Sequence, residues 1–454
     1  MTNYDYIPQL LKIQEDNIII NDIRILDKCI EIYAEISPKL TEYGCPNCGS
    51  TNNHIHAYYV RKIKHSNFSG KPVILFLKQP RLICMEKECR KTFNIPSLII
   101  DSHKRISNSL LKDINDQISK KVSFKDVAEV NGISDTSLIK NFKIQIHEYR
   151  TPLTEVLCID EFKASTIAGT YAFIIGDPIS GTILDILPSR KQDYLIYYFQ
   201  SISRSEISKV KYIVTDLFEP FRSIVNMEFP NVIHIADRFH WIRLSTDAFN
   251  KMRIRIMNYH IKEAEKCSPS NRSEHLNYAT LLKNNYKLLL KNKYSTDPWY
   301  FDQFVKKDKL GNNLTIQDMI ELCINKDSYL EEGYCLLQEL YRIAKYGNFD
   351  NIDSLLSNWI NKIFDSTFIL PEFQKVALTY KSWKKEIINS FILNPITHQR
   401  LTNGFIEGKN NFVKVIKRIG FGYKDFDIFR NRILNANKVD RKSTRLNSSH
   451  VRTS

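Results

Sequence analysis

The chain of 454 residues has no cationic start followed by an apolar core. Its opening, "MTNYDYIPQLLKIQED", therefore does not read as a secretory signal. No apolar run approaches the roughly 18–20 residues that a membrane span needs, so the expected location is cytoplasmic. Disulfides are disfavoured there, and the nine cysteines, an odd number, exclude a complete disulfide framework. Acid is also short: 50 Asp and Glu face 65 Lys and Arg, leaving a net charge of +15 and a pI near 9.2. Such a surplus suits neutralisation of a polyphosphate partner, although a basic solvated surface has the same composition. The length exceeds what one hydrophobic core usually serves, so two to four units are expected.

Four of the cysteines form two pairs. Cys45 and Cys48 lie in "YGCPNCGS", Cys84 and Cys89 in "RLICMEKECRKTF", and the β-favouring "PVILFLKQPRLIC" reads as a strand or hairpin between them. Two thiol knuckles at one end of a small sheet make a zinc ribbon, with thiolates about 2.3 Å from a tetrahedral metal. Cys-Pro-x-Cys-Gly is a tight turn that points both sulfurs inward; the second pair, with four intervening residues, makes a looser knuckle. His54, His56 and His65 are substitutes that a four-thiolate site does not need. Cys29, Cys158, Cys267, Cys323 and Cys335 are scattered and are expected to pack as small hydrophobes.

Residues 120–148, "KKVSFKDVAEVNGISDTSLIKNFKIQIHE", follow. Val122, Phe124, Val127, Ala128 and Val130 read as one helix, Asn131-Gly132 as a turn, and Ser134 as the cap of a second helix carrying Leu138, Ile139 and Phe142. This is the order of a helix-turn-helix whose second helix enters the major groove. Ser134, Asp135, Thr136, Ser137 and Lys140 would then face DNA; a short αα-hairpin of no special function has the same pattern. The nearby "DSHKRIS" and "SKK" supply cations for phosphate contacts.

Beyond Pro152 the pattern turns to strands. "EVLCID" and "VKYIVTD" are apolar runs ending in acid, "NVIHIADRFH" is another, and "TYAFIIGDPISGTILDILPSR" is two strands about a turn at Asp177-Pro178 and Gly181. Strands that end in Asp160, Asp216 and Asp237 carry carboxylates to one sheet edge, where ligands of open α/β sheets bind. Gathered carboxylates repel unless a cation lies between them. Magnesium takes oxygen ligands and shares phosphate oxygens, which points to cutting or joining a phosphodiester. A single such aspartate is more often a turn residue or a helix cap; the repetition carries the reading.

A further ligand is sought in "LTNGFIEGKNNFVKVIKRIGFGYKDFDIFRNRIL", residues 401–434. There Glu407 opens a helix, with Lys409, Lys414, Lys417 and Arg418 around it, as a metal ligand beside a DNA backbone would be. A helix-face salt bridge is the alternative.

Together, the ribbon, the helix-turn-helix, "CIDEFKAS", "VTDLFEPFRSI", "IADRFHW" and "NGFIEGKNNFVKVIKRIGFGYKDFDIFRNRIL" resemble the ISL-three family of bacterial insertion-sequence transposases, from about residue 40 to about residue 438. The resemblance implies an RNase H-like catalytic fold with an acidic triad of Asp160, Asp216 and Glu407 holding catalytic Mg²⁺ (or Mn²⁺), beside structural Zn²⁺. It implies binding of terminal inverted repeats, cleavage at the element ends, joining of 3′ hydroxyls to target DNA, and a homodimer or larger assembly on double-stranded DNA, nucleoid-associated when bound. Asp237 and His240 resemble an Asp-x-x-His motif that supports the active site or the DNA, or is structural.

The resulting expectation is a multidomain α/β chain. Residues 1–40 form an N-terminal helical or strand segment, 41–100 the zinc ribbon, and 101–150 the helix-turn-helix. Residues 151–244 and 396–438 form the RNase H-like mixed sheet, interrupted by an all-helical insertion at 245–395 whose Trp299, Tyr300 and Trp383 could grip DNA. Residues 439–454 are a non-native-looking tail, with four cations and no acid in the last fourteen positions. An inactive or domesticated inverted-repeat binder, or a nuclease of the same fold, is the alternative function.

Overall fold

The computed structural model describes residues 7–13, 15, 17–145, 149–266, 268–307, 313–395 and 397–450. The chain divides into two compact units: residues 1–149, 165–168 and 412–454 form the first, and 150–164 with 169–411 the second.

The first unit is built on a five-stranded sheet of β1 (Ile18–Ile25), β2 (Ile30–Ile36), β3 (Asn53–Phe68), β4 (Lys71–Cys84) and β5 (Thr92–Asn94), in the order β1-β2-β4-β3 with β5 also on β4. β3 and β4 form one long antiparallel hairpin, closed at Ser69-Gly70 where both residues take positive φ, as a tight hairpin turn needs. β2 runs parallel to β4, so the N-terminal segment shares the ribbon's sheet. Alternation along β4 buries Val73, Leu75 and Leu77 against Ile32 and Ile63.

Three helices follow: α1 (Asn108–Ile118), α2 (Phe124–Val130) and α3 (Asp135–Gln145). Each begins at a serine whose hydroxyl accepts a backbone N–H of the first turn: Ser107 from Leu110, Ser123 from Asp126, and Ser134 from Ser137. The expected helix therefore starts at Phe124 and leaves Val122 outside it. Gly132 takes φ +61° in the turn between α2 and α3. Leu110, Ile114, Val127, Leu138 and Phe142 form the core of this cluster.

The second unit holds a mixed sheet of β6 (Val156–Thr166), β7 (Gly169–Asp177), β8 (Thr182–Leu187), β9 (Tyr212–Thr215) and β10 (Ile233–Ala236), in the order β10-β9-β6-β7-β8. β9 runs parallel to both β6 and β10, and β8 antiparallel to β7. The turn expected at Asp177 and Gly181 joins β7 to β8. Leu157 and Ile159 bury one face of β6 against α4 (Gln192–Gln200) and α5 (Glu219–Glu228), through Leu195, Phe199, Phe221 and Ile224.

Directly after Asp237, α6 (Arg238–Lys266) begins, and it continues without a break past residue 245, into the span expected as an insertion. Further helices, among them α7 (Ser328–Tyr346), 352–365 and 371–382, pack around Met252, Leu337, Trp359, Phe373 and Tyr380. The span is not all helical as expected, because Phe304–Lys307 and Asn313–Thr315 pair as a two-stranded antiparallel sheet. Trp383 is buried beneath the Arg222 guanidinium, Tyr300 is half-buried, and Trp299 is 77% exposed. Of the three aromatics considered for DNA, Trp299 alone is open to solvent.

Last come α8 (Gly404–Ile419) and α9 (Phe426–His450), whose helical backbone runs into the segment read as a tail as far as His450. In the first unit, the buried Arg432 of α9 donates to the carbonyls of Lys120 and Val122, and Asp425 pairs with Lys143 at 2.6 Å. Among the described residues, no helix is long and apolar enough to cross a membrane.

Candidate functional site

Two of the three acids lie where strand ends were expected. Asp216 follows β9 and Asp237 follows β10, and the Asp237 N–H donates to the Thr215 carbonyl at 2.7 Å, continuing the ladder by one residue. One turn into α6, His240 Nδ1 stands 2.9 Å from Asp216 Oδ1 and 2.9 Å from Asp237 Oδ2. Asp237 is only 2% exposed, and its Oδ1 accepts the Asn403 N–H at 2.8 Å. Burial opposes a charge on His240, but the hydrogen bonds and negative charge of Asp216 and Asp237 outweigh it and push its pKa up to about 10.

Asp160 does not end its strand. β6 pairs with β9 only as far as Cys158 and then continues to Thr166 as the partner of β7, because "EFKAST" keeps the alternation that buries Phe162 and Ala164. The same alternation places Asp160 on the face of Cys158, opposite Leu157 and Ile159. There Oδ2 accepts from Asn410 Nδ2 at 2.8 Å and Oδ1 from the Glu161 N–H at 2.7 Å. Burial, and next the Asp216 charge, push the Asp160 carboxyl up to about 7. Glu161 points the other way and pairs with Arg190.

The helix expected to bring the last acid brings two polar side chains. Glu407 is exposed and lines a cleft of about 340 Å³ with Asp237, Arg238, Lys345 and Thr402, and it is not among the gathered ligand atoms. Asn410, one turn later, is the α8 side chain that reaches Asp160. Nothing in "EGKNNF" marks that asparagine beforehand; only its spacing of three from Glu407 on a helix could have.

Among the described residues, Asp216, Asp237 and His240 place ligand atoms within 4.8 Å of one another. Asn410 Oδ1 is buried without a hydrogen-bond partner among the described residues, a cost that a cation would relieve. Oxygen donors of this kind suit a hard divalent ion such as Mg²⁺.

The four cysteines of the ribbon converge. Cys45 and Cys89 sulfurs lie 3.6 Å apart, as do Cys48 and Cys84, and all four fall within 4.8 Å. This is the sulfur set of a closed structural zinc site. The Lys91 N–H and the Asn47 amide pull Cys89 down to about 6, whereas burial pushes Cys84 up to about 12. His65 is buried between the Leu11 carbonyl and Ser107, and so is no ligand. Cys158 and Cys323 are buried as expected, Cys29 is half-buried, Cys335 is exposed, and Cys267 lies outside the described residues.

Of the candidate DNA contacts, the capping Ser134 and, on α3, Thr136 and Lys140 are exposed, and Ser137 is half-buried. Lys414 and Arg418 are exposed on α8, with Lys409 and Lys417 half-buried. Lys409 falls in the second compact unit and Lys414, Lys417 and Arg418 in the first.

A family model described as a transposase, of the ISL-three kind, matches residues 157–433. A second, described as the zinc-finger of transposase IS204/IS1001/IS1096/IS1165, matches residues 42–89. The chain is 22% identical over 392 residues to the transposase for insertion sequence element IS1001 of Bordetella parapertussis, covering 85% of this chain and 86% of that one. A shorter stretch of 123 residues is 28% identical to an ATP-dependent protease of Lactococcus lactis subsp. lactis, covering 27% of this chain and 35% of that one.

Proposed function

The chain belongs to the ISL-three transposase family, and from that premise we propose that it binds the inverted repeats of an insertion sequence and, with Mg²⁺, cleaves and joins DNA at their ends. One observation carries the reading: Asp160, Asp216, Asp237 and His240, from three adjacent strands and the helix after them, meet on one side of the mixed sheet. Such an arrangement supports an RNase H-like catalytic core, with residues 151–244 and 396–438 as its two parts and 245–395 inserted.

In this reading Asp160 and Asp216 are ligands, joined by Glu407 or Asn410 from α8. Bound divalent ions would activate a hydroxyl or water and stabilise the leaving oxygen. Asn410 orients Asp160, and the Asn403 N–H fixes Asp237. His240 holds Asp216 and Asp237 together against their mutual repulsion. The α2-turn-α3 segment is read as a helix-turn-helix presenting Ser134, Thr136, Ser137 and Lys140 to DNA, and the zinc ribbon as a brace for the β3–β4 hairpin. Two element ends must be held at once, which favours a homodimer.

Glu407, exposed and outside the gathered ligands, favours the second reading, an inverted-repeat binder that does not cut. Incubation of the protein with an element-end duplex and Mg²⁺, beside Asp216→Ala, separates the two. Specific cleavage lost in the variant is expected; tight end binding without cleavage would leave the binder.

A further inference from the structure

In the first compact unit a groove of about 970 Å³ runs between β3, the segment 94–106 and the first turn of α3. Arg61, Lys62, Lys64, Lys104 and Arg105 line it with Ser134 and Ser137, and no lining residue is acidic. Lys104 is paired with Asp101 at 2.7 Å. The others have no acidic partner among the described residues: Arg61 donates to the carbonyls of Asp101 and Lys104, and Lys64 to that of Gly132. Those contacts also build the walls. The Lys64 N–H bonds to the Arg105 carbonyl and the Ser107 N–H to the Lys64 carbonyl, stitching 105–107 to the strand. Lys62 and Lys64 stand on the exposed face of β3 because the alternate Ile63 is buried.

We propose that this groove is a phosphate-backbone site for duplex DNA, gripping the strand beside the base pairs that α3 reads. It rests on the DNA-binding reading above and deepens it: the ribbon hairpin and α3 hold one DNA together. Duplex DNA is the occupant because a preformed groove with four cations that have no acidic partner among the described residues is matched by a repeating polyanion. The first turn of α3, which would enter the major groove, lines the same space.

The test uses the full zinc-loaded chain and a duplex lacking any inverted repeat, without added Mg²⁺, with affinity followed by fluorescence anisotropy across salt concentrations. In Lys62→Glu/Arg105→Glu, affinity should fall at least tenfold and the slope of log affinity against log salt should shrink by about two, the loss of two phosphate contacts. Zinc content and melting temperature should not change. If that variant does not fold, Lys62→Gln/Arg105→Gln should shrink the slope equally. An unchanged slope and affinity in a folded variant overturns the proposal, as does tighter binding of duplex RNA than of duplex DNA. The readout needs no cleavage, so failure of the catalytic reading would leave this result standing, and the reverse.

Discussion

The side-chain amide of Asn410 donates to Oδ2 of Asp160 across 2.8 Å, tying residues 250 positions apart in the chain. A hydrogen bond to a carboxylate contributes about 1.5–3 kcal/mol, and this one also fixes which Asp160 oxygen faces the cluster. Asn410→Ala should therefore weaken Mn²⁺ binding by roughly ten- to a hundredfold, as read by Mn²⁺ paramagnetic resonance, and lower the melting temperature by several degrees. Glu407→Gln should weaken it less. Loss of Mn²⁺ affinity in Glu407→Gln alone would return the ligand role to the glutamate.

Acidity should govern metal binding through Asp160. Its carboxyl is pushed up to about 7 by burial and by Asp216, so below pH 7 a proton competes with the cation. Mn²⁺ affinity should fall about tenfold per pH unit below 7 and level off above it. For the metal-free fold the sign is opposite. A carboxyl whose folded pKa exceeds its ordinary value of 3.8 binds protons more tightly when folded, so its contribution to stability declines as pH rises from about 4 to about 7. His240, whose charge draws Asp160 down, supplies the control: His240→Ala should move the metal-binding midpoint to higher pH. A midpoint near 4 in the unaltered chain would sink this account.

The parallel strands were legible where an apolar run stops at an acid, as at Asp216 and Asp237, since burial on both faces leaves no alternation to misread. Asp160 was misplaced because "EFKAST" continues β6 by alternation alone, beyond the part that β9 covers. The Ser134 cap and the Gly132 turn before α3 were readable from local chemistry, as were the paired cysteines, whereas the Ser123 cap that starts α2 after Val122 was not read. Long-range placements were not. Nothing local brings β2 beside β4, or brings Asn410 rather than Glu407 to Asp160, since both depend on how distant segments dock.

Zinc should be stoichiometric and structural. Four sulfurs within 4.8 Å make one site, and structural zinc supplies about 10–16 kcal/mol of apparent folding energy in small domains. Cys84→Ser and Cys48→Ser should each lower bound zinc, measured by elemental analysis, from one per chain to near none and expose the β3–β4 hairpin to protease. Retention of one zinc in Cys84→Ser would mean that a histidine had replaced the thiolate.

The packing of α8 on the sheet at Gly176 predicts how sensitive the cluster is to added volume. A Cβ added at Gly176 on β7 would lie 2.5 Å from Phe405 Cε1, 3.0 Å from Ile406 Cδ1 and 3.3 Å from the Thr182 carbonyl oxygen. The Gly176 φ is not positive, so alanine meets no backbone strain there and the penalty is steric. Overpacking of this kind costs about 1–3 kcal/mol. It should also push away the first turn of α8, and with it Asn410, five residues beyond Phe405. Gly176→Ala should thus lower both melting temperature and Mn²⁺ affinity, and adding Phe405→Leu, which removes the ring edge in the way, should recover part of each. If Gly176→Ala lowers the melting temperature yet leaves Mn²⁺ affinity untouched, the docking of α8 on β7 does not set the position of Asn410.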